Sequence, residues 1–301
     1  MTALPNRSSF VAGLLMATMG AISFGINIVF AQMSANAGIH GSVILFYRVF
    51  LMLPLALIAL WFSATPQRID PSERGAIILM GLTSSAVSLC YIMSVAYIPV
   101  TVAAVLFYTF PIVIVLTQPI IDKTPFHPFL LWIALMAFAG ILMVLSPNGQ
   151  TLDPIGLTLA GGASLAATVQ FFAGSRSPRS STLPKLIILQ ILMLPAATIT
   201  MLISVGLPSL DIFLRAPWAA GLTIAGYGVG FVLQLLALNR ISPAVAGLVF
   251  CLEPVVASLS ANLILDENLT LYQYGGGAVV LAAILVNIIH EHHRMKAPDP
   301  S

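Results

Sequence analysis

Two ionisable side chains stand well inside the long apolar runs of this 301-residue chain: Arg48, in LFYRVFLML, and Glu253, in VFCLEPVV. If those runs cross a bilayer, each charge costs at least ~2.5–3.5 kcal/mol unless it faces protein or water. Each therefore needs a partner or a cavity. A guanidinium suits a carboxylate, and a carboxylate suits an amine or a proton. At ~1.5 Å rise per residue, Arg48 falls ~9 Å below one surface and Glu253 ~16 Å from the other. In a ~30 Å apolar core the two depths differ by about 5 Å, within reach of an extended arginine. Both residues are candidates for lining a cavity. The competing reading is a fixed Arg–Glu pair, or an arginine bonded to helix ends, that only locks the bundle.

Uncharged polar residues at similar depth extend the set. Asn27 and Gln170 are candidate substrate contacts, although such amides also fasten membrane helices together. Tyr91 and Gln234 form a second candidate pair, with Tyr47, Tyr108, Phe171, Tyr227 and Asn262 as weaker ones. A hydrated cavity is expected to touch Asn27, Tyr91, Gln170 and Gln234. Tyr97 and Trp218 sit at run ends and read as interface anchors. Pro54, Pro111, Pro119, Pro195 and Pro254 interrupt runs, and each removes a helical hydrogen bond. Pro111 and Pro254 are the candidate hinges. Gly226, Gly230 and Gly275 to Gly277 read as close-packing points. The histidines of His290-Glu291-His292-His293 read as a solvated helix end, with no closed metal-ligand set. Cys90 and Cys251 lie in apolar runs and imply no disulfide framework. No HExxH, GxSxG or Walker loop is present, so an ATP-driven pump or a hydrolase has no visible machinery and no cofactor is implied.

The elements that must position these residues follow from composition. Hydrophobic residues make up 59% of the chain, charged residues 7%, and mean hydropathy is +1.02. Soluble domains carry about 25% charged residues, which excludes a soluble enzyme, a nucleic-acid binder and a disordered chain. Ten runs approach the ~20 residues that a bilayer helix needs: roughly 10–33, 42–62, 75–97, 100–121, 127–146, 154–174, 184–205, 217–238, 242–265 and 271–290. They are continuous, unlike the alternating segments of a membrane barrel, and only helices satisfy their own backbone in lipid. The first run is too long for a signal-peptide core. With ten crossings, Arg7, Arg68, Arg74, Lys123, Arg176, Arg179, Lys185, Arg240, Arg294 and Lys296 share one side, and Arg215 alone occupies the other. The positive-inside bias then predicts both termini in the cytoplasm.

A shift of 143 residues aligns the chain on itself without a gap. Gly13 meets Gly156, Ile98 meets Ile241, Ala103 meets Ala246, Phe107 meets Phe250 and Pro111 meets Pro254. The shift also pairs Asn27 with Gln170 and Tyr91 with Gln234. Self-similarity at a fixed period marks a repeat architecture. The reading is an all-α integral membrane protein of ten transmembrane helices in two five-helix repeats, residues 1–146 and 147–290, with a tail at 291–301. Five crossings per repeat make the halves inverted, an arrangement found in secondary transporters with a midplane site.

The stretch ALNRISPAVAGLVFCLEPVVASLSANLILDENLTLYQYGGGAVVLAAIL from Ala237 resembles the EamA-type repeat of the drug/metabolite transporter superfamily. Its Pro254, Glu267 and Gly275 to Gly277 match that pattern. In the first half Pro111 matches, but Asp122-Lys123-Thr124 replaces the acidic loop position. The opening GLLMATMGAISFGINIVF and the LFYRVFLMLPLAL stretch look similar too. The resemblance implies a permease of an inner or plasma membrane. It would move a small metabolite, with an amino acid or related amphipathic compound as first choice, by alternating access and in the direction of export, with or without protons. Proton-coupled efflux of cationic drugs and a non-transporting scaffold are the alternatives.

Overall fold

The computed structural model describes residues 7–147 and 152–294. Twelve helices follow one another: α1 (Arg7–Asn36), α2 (Gly41–Trp61), α3 (Arg74–Ser94), α4 (Val100–Phe107), α5 (Phe110–Asp122), α6 (Pro128–Leu145), α7 (Pro154–Ser175), α8 (Thr182–Val205), α9 (Pro217–Leu238), α10 (Pro243–Phe250), α11 (Leu252–Leu265) and α12 (Leu271–Arg294). No strand occurs among the described residues. The helices make ten spans long and apolar enough to cross a membrane, because α4 with α5 and α10 with α11 each build one interrupted crossing. The chain is thus a multi-pass membrane protein. The limits differ from the sequence expectation at a few ends. The first helix runs on to Asn36, the third stops at Ser94, and α12 continues through 291–294 of the expected tail. Lys296 lies outside the described residues.

Local chemistry sets many of these boundaries. Proline occupies the first turn of α5, α6, α7, α9 and α10, where its missing N–H costs no bond. The Asp153 carboxylate accepts from the Ile155 N–H at 2.7 Å, and the Ser242 hydroxyl from the Val245 N–H at 3.3 Å, satisfying orphan donors at two helix starts. At the other ends, Lys123 (φ 52°) closes α5 and Asp266 (φ 54°) closes α11, both left-handed. These residues are themselves 143 apart.

Packing repeats in the same way. Helix α1 packs on α9 as α7 packs on α3, α1 on α10 as α7 on α4, and α2 on α9 as α8 on α3, while α2 meets α8 and α6 meets α12. Every one of these contacts joins one half of the chain to the other, so the repeats interlock rather than form two lobes. Two glycines show how closely the pattern is kept. A methyl group at Gly13 would come within 2.7 Å of Arg240 Cβ and 2.8 Å of Ile241. One at Gly156 would come within 2.9 Å of Tyr97 Cβ and 2.6 Å of Ile98. Arg240-Ile241 and Tyr97-Ile98 are repeat equivalents. Close helix approach through small residues is the usual packing device in membranes. Gly276 of α12 and Gly140 of α6 use it too, with a methyl at Gly276 only 2.7 Å from the Gly140 carbonyl oxygen.

The two ends of the bundle are not alike. At the end that carries most of the basic residues, Glu73 is buried. Its carboxylate accepts from the Arg179 N–H at 3.0 Å, the Ser180 N–H at 2.8 Å and the Ser180 hydroxyl at 2.6 Å. Arg68 and Ser181 exchange two further bonds. Lys185 is only 1% exposed, and its ammonium donates to the Ser177 carbonyl at 2.8 Å and to Asn239 Oδ1 at 2.9 Å. Asp70 accepts from the Ser72 hydroxyl and N–H, which hold its carboxyl below its ordinary value, and Arg179 at 3.9 Å adds to this. This polar brace ties the start of α3 to the ends of α7, α8 and α9. In the other half, the equivalents of Ser177, Lys185 and Asn239 are Ser34, Ser42 and Ala96, which cannot build it.

Candidate functional site

Interrupted crossings bring the central residues together. Pro111 and Pro254 have no N–H to donate to the carbonyls of Phe107 and Phe250, four residues earlier. The helical hydrogen bonding breaks at Tyr108-Thr109 and at Cys251. Both prolines are buried just after their breaks, in the first turns of α5 and α11.

Glu253 follows the second break. Tyr108, at the first break, lies beside the Glu253 carboxyl, and Tyr91 of α3 and Cys251 are close by as well. Arg48, on α2, occupies a different place. Its guanidinium carbon stands 4.0 Å from the centre of the Tyr227 ring on α9, a cation–π arrangement. Its Nε is buried without a hydrogen-bond partner. Ion pairs join Arg176 to Asp122 at 3.3 Å and Arg179 to Asp70 at 3.9 Å, and none joins Arg48 to Glu253. The fixed Arg48–Glu253 pair allowed by the depth argument is therefore not formed.

A chain of aromatic rings joins the two charged groups. Ring centres step from Tyr91 to Phe107 (5.5 Å), Phe110 (5.4 Å), Phe171 (5.1 Å), Phe250 (5.7 Å), Phe24 (6.0 Å) and Tyr227 (5.9 Å). Such tilted and edge-to-face contacts are favoured by the ring quadrupoles. The chain passes through α3, α4, α5, α7, α10, α1 and α9, so it draws on both repeats. Its ends are a carboxylate flanked by phenols and a guanidinium on a phenol face.

The other candidates are placed differently. Asn27 Oδ1 accepts from the Thr223 hydroxyl of α9 at 2.6 Å, and Gln170 Nε2 donates to the Ser84 hydroxyl of α3 at 2.8 Å. Both amides thus fasten the equivalent helix pairs α1–α9 and α7–α3. Gln234 is buried on α9, two turns beyond Tyr227. Asn27, Gln170 and Gln234 are 8%, 7% and 5% exposed, so the expected cavity has little contact with three of its four residues. Among the weaker candidates, Tyr108, Phe171 and Tyr227 belong to the central chain. Tyr47 instead packs its ring on Phe213 at 4.5 Å, and Asn262 donates to the Glu267 carbonyl at 2.5 Å. Phe24, Phe110 and Phe250 were not singled out as contacts, because phenylalanine in an apolar chain reads first as packing. The Phe107–Phe250 repeat match was the one available signal.

The model of the EamA-like transporter family matches residues 11–146 and again 154–289. The chain belongs to the EamA-like transporter family. Both limits of the two EamA matches are displaced by 143 residues, the same shift that aligns the chain on itself. An uncharacterized transporter of Archaeoglobus fulgidus is 27% identical over 199 residues, covering 65% of this chain and 70% of that protein. A solved crystal structure superposes with a TM-score of 0.73 at 17% identity, covering 97% of this chain and all of the other. That likeness concerns the fold. Membership of a transporter family agrees with two charged groups held unpaired among spanning helices.

Proposed function

We propose that this membrane transporter is a secondary carrier for a small amphipathic metabolite, an amino acid or a related compound, working by alternating access. The observation that carries the reading is the arrangement of Arg48 and Glu253. They are opposite charges, not paired with one another, at the two ends of one aromatic chain inside the bundle. Buried charges are expensive in membranes and mark solute or ion pathways. Arg48 would take a carboxylate, Glu253 with Tyr108 and Tyr91 would take an ammonium group or a proton, and the rings between them would face the apolar part. The interlocking of two five-span repeats supports an inverted pair rocking around a fixed site. The basic end, with its ten Lys and Arg residues, would face the cytoplasm, and the family resemblance favours export.

The test begins with metabolite profiling of cells with and without the protein, followed by uptake into proteoliposomes of any compound that changes. Arg48→Gln and Glu253→Gln should each abolish or strongly reduce that uptake at normal protein levels. Glu253→Gln should also flatten any pH dependence. Wild-type uptake in both variants would overturn the reading. Loss in Glu253→Gln alone, with cations as the affected compounds, would replace it with efflux of cationic drugs.

A further inference from the structure

A groove of about 500 Å³ opens on the side of the bundle between α3, α5 and α7, within the size range of small-molecule sites. It runs from Thr168, beside Phe110 of the aromatic chain, toward the basic end at Gly75 and Arg176. Its walls are aliphatic and aromatic, including Ala76, Leu79, Val113, Leu165, Val169 and Phe172, and its mouth is at Gly75 and Arg176. Leu79 and Leu165 are largely exposed, so the groove faces the surrounding lipid.

The repeat shows that the sequence builds this gap. Thr168 and Val113 line it, and their equivalents in the other half are Gly25 and Val256. Gly25 is packed so tightly that a methyl group there would meet Val256 Cβ at 2.7 Å and the Glu253 carbonyl oxygen at 2.8 Å. With glycine at that position, α1 and α11 close on each other. With threonine at the matching place, whose hydroxyl donates to the Ser164 carbonyl at 3.1 Å and the Phe110 carbonyl at 3.4 Å, α7 and α5 stand apart.

Charge at the mouth selects what fills the gap. Arg74 is exposed beside Gly75, and the Arg176 side chain is 53% exposed. Lys123, the residue that closes α5, is a further basic residue at this end of the bundle. Asp122 sits at 3.3 Å from Arg176 and supplies one negative charge, while the Glu73 carboxylate is taken up by Arg179 and Ser180. We infer that this groove is a binding site for one anionic phospholipid, with its phosphate at Arg74 and Arg176 and an acyl chain lying between α5 and α7. Because α3 and α5 belong to one repeat and α7 to the other, the lipid sits at the seam where the halves meet.

The experiment is native mass spectrometry of the delipidated full-length protein with added phosphatidylglycerol or phosphatidylcholine. One phosphatidylglycerol should be retained, and phosphatidylcholine should bind more weakly. Arg74→Gln and Arg176→Gln should each weaken phosphatidylglycerol about fivefold, since a cation at an anionic headgroup contributes about 1 kcal/mol. Val169→Phe and Leu165→Trp, which fill the groove, should remove retention while leaving thermal unfolding in detergent unchanged. Wild-type retention in whichever groove-filling variant folds normally would overturn the proposal. So would equal binding of the two lipids, or displacement of phosphatidylglycerol by the transported metabolite, which would assign the groove to the substrate.

Discussion

Arg48 lies with its guanidinium 4.0 Å from the ring centre of Tyr227, while its Nε finds no acceptor. The phenol face supplies diffuse negative charge without consuming the donor hydrogens, which point along the guanidinium plane. An arginine held in this way is oriented and still free to donate in the fork geometry that carboxylates accept. An arginine bonded to a carboxylate would have spent that capacity on structure.

Tyr227 should therefore matter through its ring rather than its hydroxyl. Tyr227→Phe is expected to transport normally. Tyr227→Leu should raise KM about 2- to 30-fold, the equivalent of a cation–π contribution of about 0.5–2 kcal/mol. Uptake kinetics in proteoliposomes decide it, and an unchanged KM in Tyr227→Leu would remove the ring from the site.

Asn27 and Gln170 should behave as fasteners. Asn27→Ala and Thr223→Val remove the two sides of one hydrogen bond. Each should lower unfolding stability by about 0.6 kcal/mol and at most about 1.7 kcal/mol, the mean and maximum for interhelical bonds in membranes. The double variant should cost little more than either single one. Thermal unfolding in detergent reads this directly, and additive losses would show that the two residues act independently.

The helix breaks carry a kinetic prediction. Pro254→Ala and Pro111→Ala restore a backbone donor at positions where the helical bonding is interrupted. If the breaks are hinges, turnover should fall several-fold while substrate affinity stays near wild type. Substrate binding measured alongside exchange rates separates the two, and equal rates in both variants would leave the prolines as shape-fitting elements only.

The brace at the basic end should be worth more than its counterpart. Lys185→Met removes a buried ammonium that donates to Ser177 and Asn239. Bonds from charged donors contribute about 1.5–3 kcal/mol, so the variant should unfold measurably earlier. Ser42→Ala, at the equivalent place in the first half, should cost about 0.5–1.5 kcal/mol, as for an ordinary hydroxyl bond. Comparable losses in both would show that the two ends are held alike.

Much of the fold was legible because bilayer helices write their length and polarity into sequence. The ten crossings and the 143-residue shift needed only apolar runs and a few Gly, Phe and Pro matches. The site was less legible. Arg48 and Glu253 stood out because charge in an apolar run is conspicuous, but nothing in the sequence said that Arg48 would choose the Tyr227 face over Glu253. Asn27 and Gln170 looked central by repeat position. Their direction depends on which face of α1 and α7 meets α9 and α3, a packing outcome that short sequence patterns do not encode. Lys185 read only as one of the basic residues of one side, because depth along the chain says nothing about neighbours closing over a helix end.

The duplication that produced this chain did not leave it with two equivalent ends. A gene fusing two copies of the first half would still present Gly13-type notches and Asn27-type clasps, yet Ser34, Ser42 and Ala96 would stand wherever Ser177, Lys185 and Asn239 now stand. Such an ancestor would part as easily on one face as on the other. If Lys185→Met costs more than Ser42→Ala, divergence of a handful of side chains has given the present molecule an energetic bias between its two faces, which a perfectly doubled protein inserted both ways up would lack.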